Sequence, residues 1–489
     1  MSQPTVPPRV PPRTTRPLPA AALPRGRAAH DAAVARLVES YRAIPVDTPV
    51  RLAKRTSNLF RPRVASTAPG LDVSGLDGVI SVEPDALTAD VQGICSYEHL
   101  VEATLPFGLM PYVVPQLRTI TLGGAVTGLG IESTSFRHGL PHESVLELDV
   151  LTGAGEVVTA RPDLGTGLTT GSEEHADLYA GFPNSYGTLG YATRLRIALE
   201  PVARYVLTRN IRFGSLGELV AAIGEITEQR SWQGEEVEFL DGVVFSEQEA
   251  YLVLGRRADV PQDIPSDYTG QQIYYRSLAG RDRDTLTTLD YLWRWDTDWF
   301  WCSRAFGAQH PLVRRIWPRR YRRSDVYHRL VGLENRHQVY ARWQRLRGRP
   351  DTERVVQDVE VPLERTESFL RWFLEHVPMR PLWVCPLRLT GLDGKPWPLY
   401  PVQPGHTYVN VGFWGGVPIE PGRADGDANR AIEQAVSAAG GHKSLYSDAY
   451  YDEADFWAKY GGEAYRPLKR RYDPDGRLLD LYAKAVGRR

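Results

Sequence analysis

The chain has only three cysteines, Cys95, Cys302 and Cys385, spread far apart. That excludes a disulfide framework and every zinc-type spacing, and it suits a reduced, cytoplasmic setting. Lysine is nearly as scarce: only six of the 58 basic residues are lysine, an arginine bias that suggests a GC-rich genome more than a chemistry. A strong charge of either sign is missing too. The formal net charge of -1 argues against nucleic acid as the main partner. No window approaches the roughly 18 apolar residues that a membrane span needs. The first residues, "MSQPTVPPRVPPRTTRPLPAAALPRGR", lack the apolar run of an export signal and read as a disordered Pro/Arg-rich tail over residues 1–29. These absences lead us to expect a protein that is soluble or peripheral to a membrane.

What is present fits two or three domains, since 489 residues give ample material for a buried core. Order is expected from about His30, where "AAVARLVESYRAI" reads as an amphipathic helix. Short strands then succeed one another. "GVISVEP" and "LTADVQG" form a hairpin around Pro84–Ala86, and "SYEHLVEATLPFG" a helix. "SVLELDVLTGAGEVVTARP" is a second hairpin turning at Gly153–Gly155, and "YGTLGYATRLRIALEPV" is a glycine turn with a strand. Clustered strands without a regular βαβ alternation point to the α+β class. Beyond residue 202 tryptophans gather, with an arginine-rich helical stretch and two strand-like pieces, "RVVQDVEVPL" and "MRPLWVCPLRL".

The densest local signal is "LRTITLGGAVTGLGIESTSFRHGL", Leu117–Leu140, with five glycines and six hydroxyl residues. Gly128, Gly130 and Ser133 nearly spell the dinucleotide fingerprint G-x-G-x-x-G, but serine takes the third place. A strand before and a helix after are also missing from the pattern. A G-K-[ST] ending is absent as well. What remains is a long loop rich in backbone N–H groups, suited either to a pyrophosphate or simply to a tight turn.

The order of segments carries more information than any one of them. "AKRTSN", a hairpin, a helix ending in "GLMPYVVPQ", "TITLGGAVTGLG", "SFRHGL", "LELDVLTGAGEVVTA" and "DLYAGFPNSYGTLGYATRLRIAL" come in turn over residues 50–200. This succession resembles the flavin-binding domain of the vanillyl-alcohol oxidase (PCMH) type. The resemblance implies FAD, its pyrophosphate cradled by Lys54, Arg55, Thr56, Ser57 and Asn58 and by Thr119, Thr121, Gly123, Gly124, Thr127, Gly128 and Gly130. Ser133, Ser135, Gly187 and Gly190 would lie near the isoalloxazine or ribityl chain. Many members tether flavin through a histidine in the first loop; this chain has none there, which implies non-covalent FAD.

"GIESTSFRHGL", "LWVCPLRL" and "YSDAYYDEADFWAKY" extend the likeness to nearly the whole ordered chain. They resemble the Diminuto/Seladin branch, the delta-24 sterol reductases, which use FAD and NADPH on an isolated carbon–carbon double bond. With the arginine bias, the resemblance points to a bacterial variant that reduces a 10-methylene fatty acyl chain to the 10-methyl form. A methyltransferase acting in the preceding step is the implied partner. Three rivals stand beside this reading: delta-24 sterol reduction, an FAD-dependent alcohol oxidase or dehydrogenase, and a lipid-binding protein with a vestigial flavin site.

An unactivated alkene needs a positioned acid, an apolar pocket and aromatic faces for a cationic intermediate. Candidate acids are Glu132 and His138 beside the glycine stretch, and Tyr446, Asp448 and Tyr450 in the tail. Each has a blander account: a backbone hydrogen bond for Glu132, a structural hydrogen bond for His138, core packing for the tail aromatics. Cys385 either lines the pocket or is a buried thiol. The stretch from Trp293 to Arg323 holds five of the twelve tryptophans, and seven arginines fall between Arg314 and Arg329. It suits an anionic membrane face, or equally an arginine-rich solvated helix over buried tryptophans. The expected architecture is an FAD-binding domain over 30–201, a substrate (cap) domain over 202–440, and a segment 441–489 returning to the first.

Overall fold

The computed structural model describes residues 23–53, 60, 70–163, 175–270, 272–337, 342, 348 and 350–486. Two antiparallel sheets organise them. The first has six strands: Val79–Glu83, Thr88–Gln92, Gly190–Pro201, Val145–Thr152 and Val157–Ala160 in that spatial order, with Leu109–Pro111 on the far end of Gly190–Pro201. Both hairpins legible in the sequence are here, with the turn at Gly153–Gly155 between paired strands. Helix Arg27–Arg42 packs beside this sheet and buries Ala33, Leu37 and Tyr41 on one face.

Three strands of the first sheet are tied together by one cation. Arg194 reaches Asp90, Glu147 and Asp149, with 2.6 Å between Nε and Asp149 Oδ2. Burial pushes the Glu147 and Asp149 carboxyls up, but the Arg194 hydrogen bonds and charge hold both below their ordinary value. Taking the guanidinium away would leave three half-buried acids facing each other, a cost of about 3–5 kcal/mol.

The second sheet has eight strands in the order Arg283–Thr287, Tyr205–Phe213, Glu249–Ala258, Phe239–Ser246, Leu382–Arg388, Thr407–Pro418, Thr352–Pro362 and His442–Lys443. Only two of these, Thr352–Pro362 and Leu382–Arg388, are legible as strands in the sequence. One face of the sheet meets the first sheet instead of solvent, so the simple apolar-in, polar-out alternation that would mark the other strands is blurred. Side chains alternate across the pleat with period two. Leu240, Val244, Val384, Val409, Val411, Val355 and Val359 pack against helices Leu216–Gln229, Leu363–His376 and Asp427–Ala438. The opposite face presents Phe239, Val243, Trp383, Cys385 and Tyr408 to the core shared with the first sheet.

The C-terminal residues bind both bodies. His442–Lys443 is the edge strand of the second sheet, whereas the helix Gly462–Tyr472 and the residues after it pack on the first. There Lys469 Nζ donates to Thr188 O at 2.9 Å, Val50 N–H donates to Arg477 O at 2.9 Å, and Tyr472 OH donates to Asp177.

Candidate functional site

The glycine stretch departs from the loop expected of it. Leu122–Thr127 is a short helix, N-capped by Thr121, whose hydroxyl accepts from Gly124 N–H at 3.3 Å. Its glycines serve close backbone approach. Gly123 N–H donates to Gly93 O at 3.0 Å, and a Cβ on Gly123 would lie 2.6 Å from that oxygen. Gly128 and Gly130 similarly lie against Tyr186 and against Pro115 and Pro141. Gly124 is exposed and Thr119 and Ile120 half-exposed, so the open side of the segment lies there. Thr127 donates its hydroxyl to Gly123 O at 2.8 Å.

Tyr186 joins this segment to two others: its N–H donates to Thr127 O at 2.7 Å, and its hydroxyl accepts from Leu445 N–H at 2.8 Å. The turn around it runs through left-handed backbone at Asn184, Tyr186 and Gly187, and reaches Gly190 at φ 148°. Lys54, Arg55, Thr56, Ser57 and Asn58 lie outside the described residues. Phe60, just beyond them, donates its N–H to Tyr446 O at 2.9 Å and packs its ring 5.9 Å from that of Tyr446. The first loop therefore ends against the tail.

Glu132 sits in a fully buried charge cluster between the two sheets. Arg294 Nη2 is 2.9 Å from both Glu132 Oε1 and Asp241 Oδ2, and its guanidinium lies 3.9 Å from the centre of the Tyr291 ring. Ser133 donates to Glu132 Oε1 at 2.7 Å. Trp295 and Trp383 both donate indole N–H groups to Asp241 Oδ2 at 3.1 Å. One guanidinium faces two carboxylates here. Burial pushes the Glu132 carboxyl up and the neighbouring Asp241 adds to it, against the pull of Arg294. Glu132 is thus the member suited to hold a proton, and its Oε2 has no hydrogen-bond partner.

A second acid sits further along the same sheet face. Asp358 accepts from Asn410 Nδ2 at 2.9 Å and from Tyr446 OH at 2.7 Å, and burial raises its carboxyl to about 6. Trp414 donates its indole N–H to Tyr446 OH at 2.9 Å. Gly412 makes room for this arrangement, because a Cβ there would stand 2.6 Å from Asp358 Oδ1 and 2.5 Å from the Trp414 ring. Glu360, on the same face, accepts from Ser444 at 3.0 Å and is pushed well above its ordinary value by burial.

Aromatic rings fill the space between the two acids. Phe300 stacks on Trp414 at 4.3 Å and on Trp295 at 4.8 Å, and Trp383 lies 5.5 Å from Phe300 and 6.2 Å from Trp414. Trp293, Trp295, Trp299 and Trp301 are buried and Trp317 half-buried, so four of the five tryptophans of the basic-aromatic stretch line the interior and not the outer surface. Trp299 and Phe300 adopt positive φ, a turn that aims both rings inward. Composition signals aromatics but cannot say which way such a turn points.

The other candidates are placed elsewhere. His138 Nε2 meets Glu200 Oε2 at 3.1 Å and its ring stacks on Tyr112 at 4.4 Å. Burial pushes the Glu200 carboxyl up, yet His138 and the charges of Arg257 and Arg137 hold it low. Tyr450 donates its N–H to Glu433 at 3.1 Å and lies beneath Arg430, beside helix Asp427–Ala438. Asp448 pairs with Arg354 at 3.1 Å. Ser133 and Ser135 spend their hydroxyls within the Glu132 turn, where Ser135 Oγ accepts from Glu132 N–H at 3.1 Å. Cys385 is buried on the aromatic face, 3.8 Å from Leu240 O. Glu132 and Tyr446 are brought to one wall; His138 and Tyr450 are not. Arg294, Asp241 and Asp358 escaped sequence reading, although an acid inside an apolar run, as in "FLDGVVF" and "VVQDVEV", was a usable signal.

Residues 27–161 match the family model of an FAD binding domain. The chain carries an FAD-binding domain. Its α+β fold, with the antiparallel hairpins and the helix-containing glycine segment, is the body of that match. Over 428 residues the chain is 24% identical to the human Delta(24)-sterol reductase, covering 85% of this chain and 75% of the relative. It is 25% identical over 452 residues to the Arabidopsis thaliana Delta(24)-sterol reductase, covering 85% and 76%. A 134-residue stretch is 34% identical to Cytokinin dehydrogenase 5 of Arabidopsis thaliana, covering 27% of this chain and 23% of that protein.

The FAD-binding domain suits such a cofactor by its donors. Beside the glycine segment, Gln116 Nε2 is buried with no hydrogen-bond partner, and Asn184 Oδ1 in the facing turn is in the same condition. Buried polar groups without partners are costly unless a ligand or water completes them. No helix among the described residues is long and apolar enough to cross a membrane.

Proposed function

We propose that the chain is an FAD-dependent, NADPH-driven reductase of an isolated carbon–carbon double bond in a lipid. The substrate we assign is a 10-methylene fatty acyl chain, reduced to the 10-methyl form. The observation that carries this reading is the buried aromatic wall with Glu132 at one end and Tyr446 at the other. Likeness to sterol reductases over 85% of the chain supports the reaction class, and the arginine bias favours the fatty acyl substrate over a sterol. Cytoplasmic residence and a methyltransferase acting in the preceding step belong to the same proposal.

The chemistry comes from the alkene. With no carbonyl to absorb negative charge, addition of hydride first leaves an unstabilised carbanion, so the proton must come first. Burial raises the Glu132 carboxyl against the pull of Arg294, and its uncommitted Oε2 is the proton donor in this reading. The faces of Phe300, Trp383 and Trp414 stabilise the resulting tertiary cation and keep water out. Tyr446, fixed between Asp358 and Trp414, orients the chain end of the substrate. The glycine segment, with Gln116 and Asn184 at hand, would hold FAD non-covalently; once reduced by NADPH, the flavin would supply hydride chemistry at this wall.

The test is direct. Purified protein is incubated with NADPH and either a methylene-stearoyl phospholipid or desmosterol, and products are weighed by mass spectrometry. Gain of two hydrogens by the methylene lipid is expected. Saturation of the sterol alone would replace the substrate assignment, and oxygen-dependent turnover of alcohols without nicotinamide would replace the reaction.

A further inference from the structure

Burial of the tryptophans leaves an outer surface on the same stretch that no internal contact explains. The helix Pro311–Ile316 exposes Leu312 at 70% and Ile316 at 79%, one turn apart on a common face. Tyr321 is 44% exposed beside them in sequence, with the Arg320 guanidinium over its ring. Large aliphatic side chains this exposed, and paired, mark a contact face more often than chance.

Part of the charge nearby is internally paired: Arg314 with the buried Asp298 at 2.5 Å, Arg281 with Asp284 at 3.3 Å and Arg319 with Asp267 at 3.5 Å. Arg276, Arg315 and Arg320 have no carboxylate partner among the described residues. Adjoining the helix is an open cleft of about 460 Å³, lined by Arg276, Arg281 and Arg314 with Gln272, Gln309 and Pro311. Apolar side chains at the tip, with the unpaired guanidinium groups of Arg315 and Arg320 beside them and of Arg276 in the cleft, complement a surface with an apolar interior and phosphate headgroups.

We propose that this face docks the protein on an anionic phospholipid bilayer. Leu312 and Ile316 enter the acyl boundary, Arg315 and Arg320 meet headgroup phosphates, and Arg276 in the adjoining cleft meets one more. The contact stands on the surface alone and does not require the reductase reading; together they would place the site's lipid and its source on one membrane.

Flotation of the full chain with vesicles tests it. Vesicles of phosphatidylcholine with about one third phosphatidylglycerol are expected to carry the protein, and pure phosphatidylcholine vesicles to carry at least tenfold less. Half-molar salt should weaken the binding. The double variant Leu312→Ser/Ile316→Ser and the variant Arg315→Glu/Arg320→Glu should each lose at least tenfold in vesicle binding. Both should retain bound flavin absorbance and an unchanged melting temperature. Protein that stays unbound with anionic vesicles overturns the proposal, as does equal binding by the variants. A concentration-dependent dimer that the same substitutions abolish, without vesicle binding, would assign the face to a second copy instead. Reduction of a detergent-dispersed methylene lipid by variants that no longer float would separate docking from catalysis.

Discussion

The indole N–H of Trp414 donates to the hydroxyl of Tyr446 at 2.9 Å, which turns that hydroxyl's own proton toward Asp358. A tryptophan from the second sheet thus fixes the orientation of a tyrosine from the tail, and through it the hydrogen bonding of a buried acid. Tyr446→Phe breaks this chain while keeping the ring. Flavin content should be retained and kcat for alkene reduction should fall about tenfold to hundredfold, measured by steady-state assay on the methylene lipid.

Glu132→Gln keeps shape and hydrogen-bonding capacity at Oε1 but removes the acid whose proton affinity burial raises. Alkene reduction should drop by about 10² or more. Reduction of the flavin by NADPH, followed alone by stopped-flow absorbance, should be unaltered. Loss of both half-reactions to the same degree would assign Glu132 a structural role.

Arg294 is the only cation touching Glu132 and Asp241 among the described residues, and it has no exposure. Arg294→Met should cost about 3–5 kcal/mol in denaturant unfolding, because two carboxyls would remain buried without their counter-charge. Adding Asp241→Asn to that variant should restore part of the loss, a coupling readable by a double-mutant cycle.

Asp358 gives stability a pH dependence of definite sign. Its carboxyl binds a proton up to about 6 in the folded chain, against 3.8 when exposed. The folded state therefore holds more protons between those values, and this residue's contribution falls as pH rises from about 4 to about 6. At about 1.4 kcal/mol per pH unit the penalty reaches ~3 kcal/mol above that window. Asp358→Asn should flatten the decline, as read by urea unfolding across that range.

Gly412→Ala places a methyl group 2.5 Å from the Trp414 ring and 2.6 Å from Asp358 Oδ1. Backbone on both sides is held in the ladder, so the ring and carboxylate must move. A loss of about 1–3 kcal/mol in stability is expected, together with weaker turnover, from thermal melting and activity on the same preparation.

Much of the first domain was legible from residue order. The hairpin turns at Pro84–Ala86 and Gly153–Gly155 are local, set by residues that tolerate tight turns, and they appear where the pattern put them. Much of the second sheet was not, because most of its pairings join remote segments, as Gly242 with Val384 and Arg283 with Arg209, and no local signal encodes such a partner. The helix Leu122–Thr127 was masked by its glycines, which disfavour a helix in isolation and are accepted here for the contact with Gly93.

The site divides in the same way. The order of segments, through the family it resembles, pointed to FAD, and the match over residues 27–161 bears out an FAD-binding domain; glycine and hydroxyl spacing alone left the choice between a cradle and a turn open. Glu132 and Tyr446 were visible as residue types able to carry or orient a proton. That they share one wall, that Arg294 and Asp241 govern the first and Asp358 the second, and that the tryptophans face inward were decided by tertiary structure alone. Burial and distance between remote segments set these properties, and neither quantity exists until the two sheets pack.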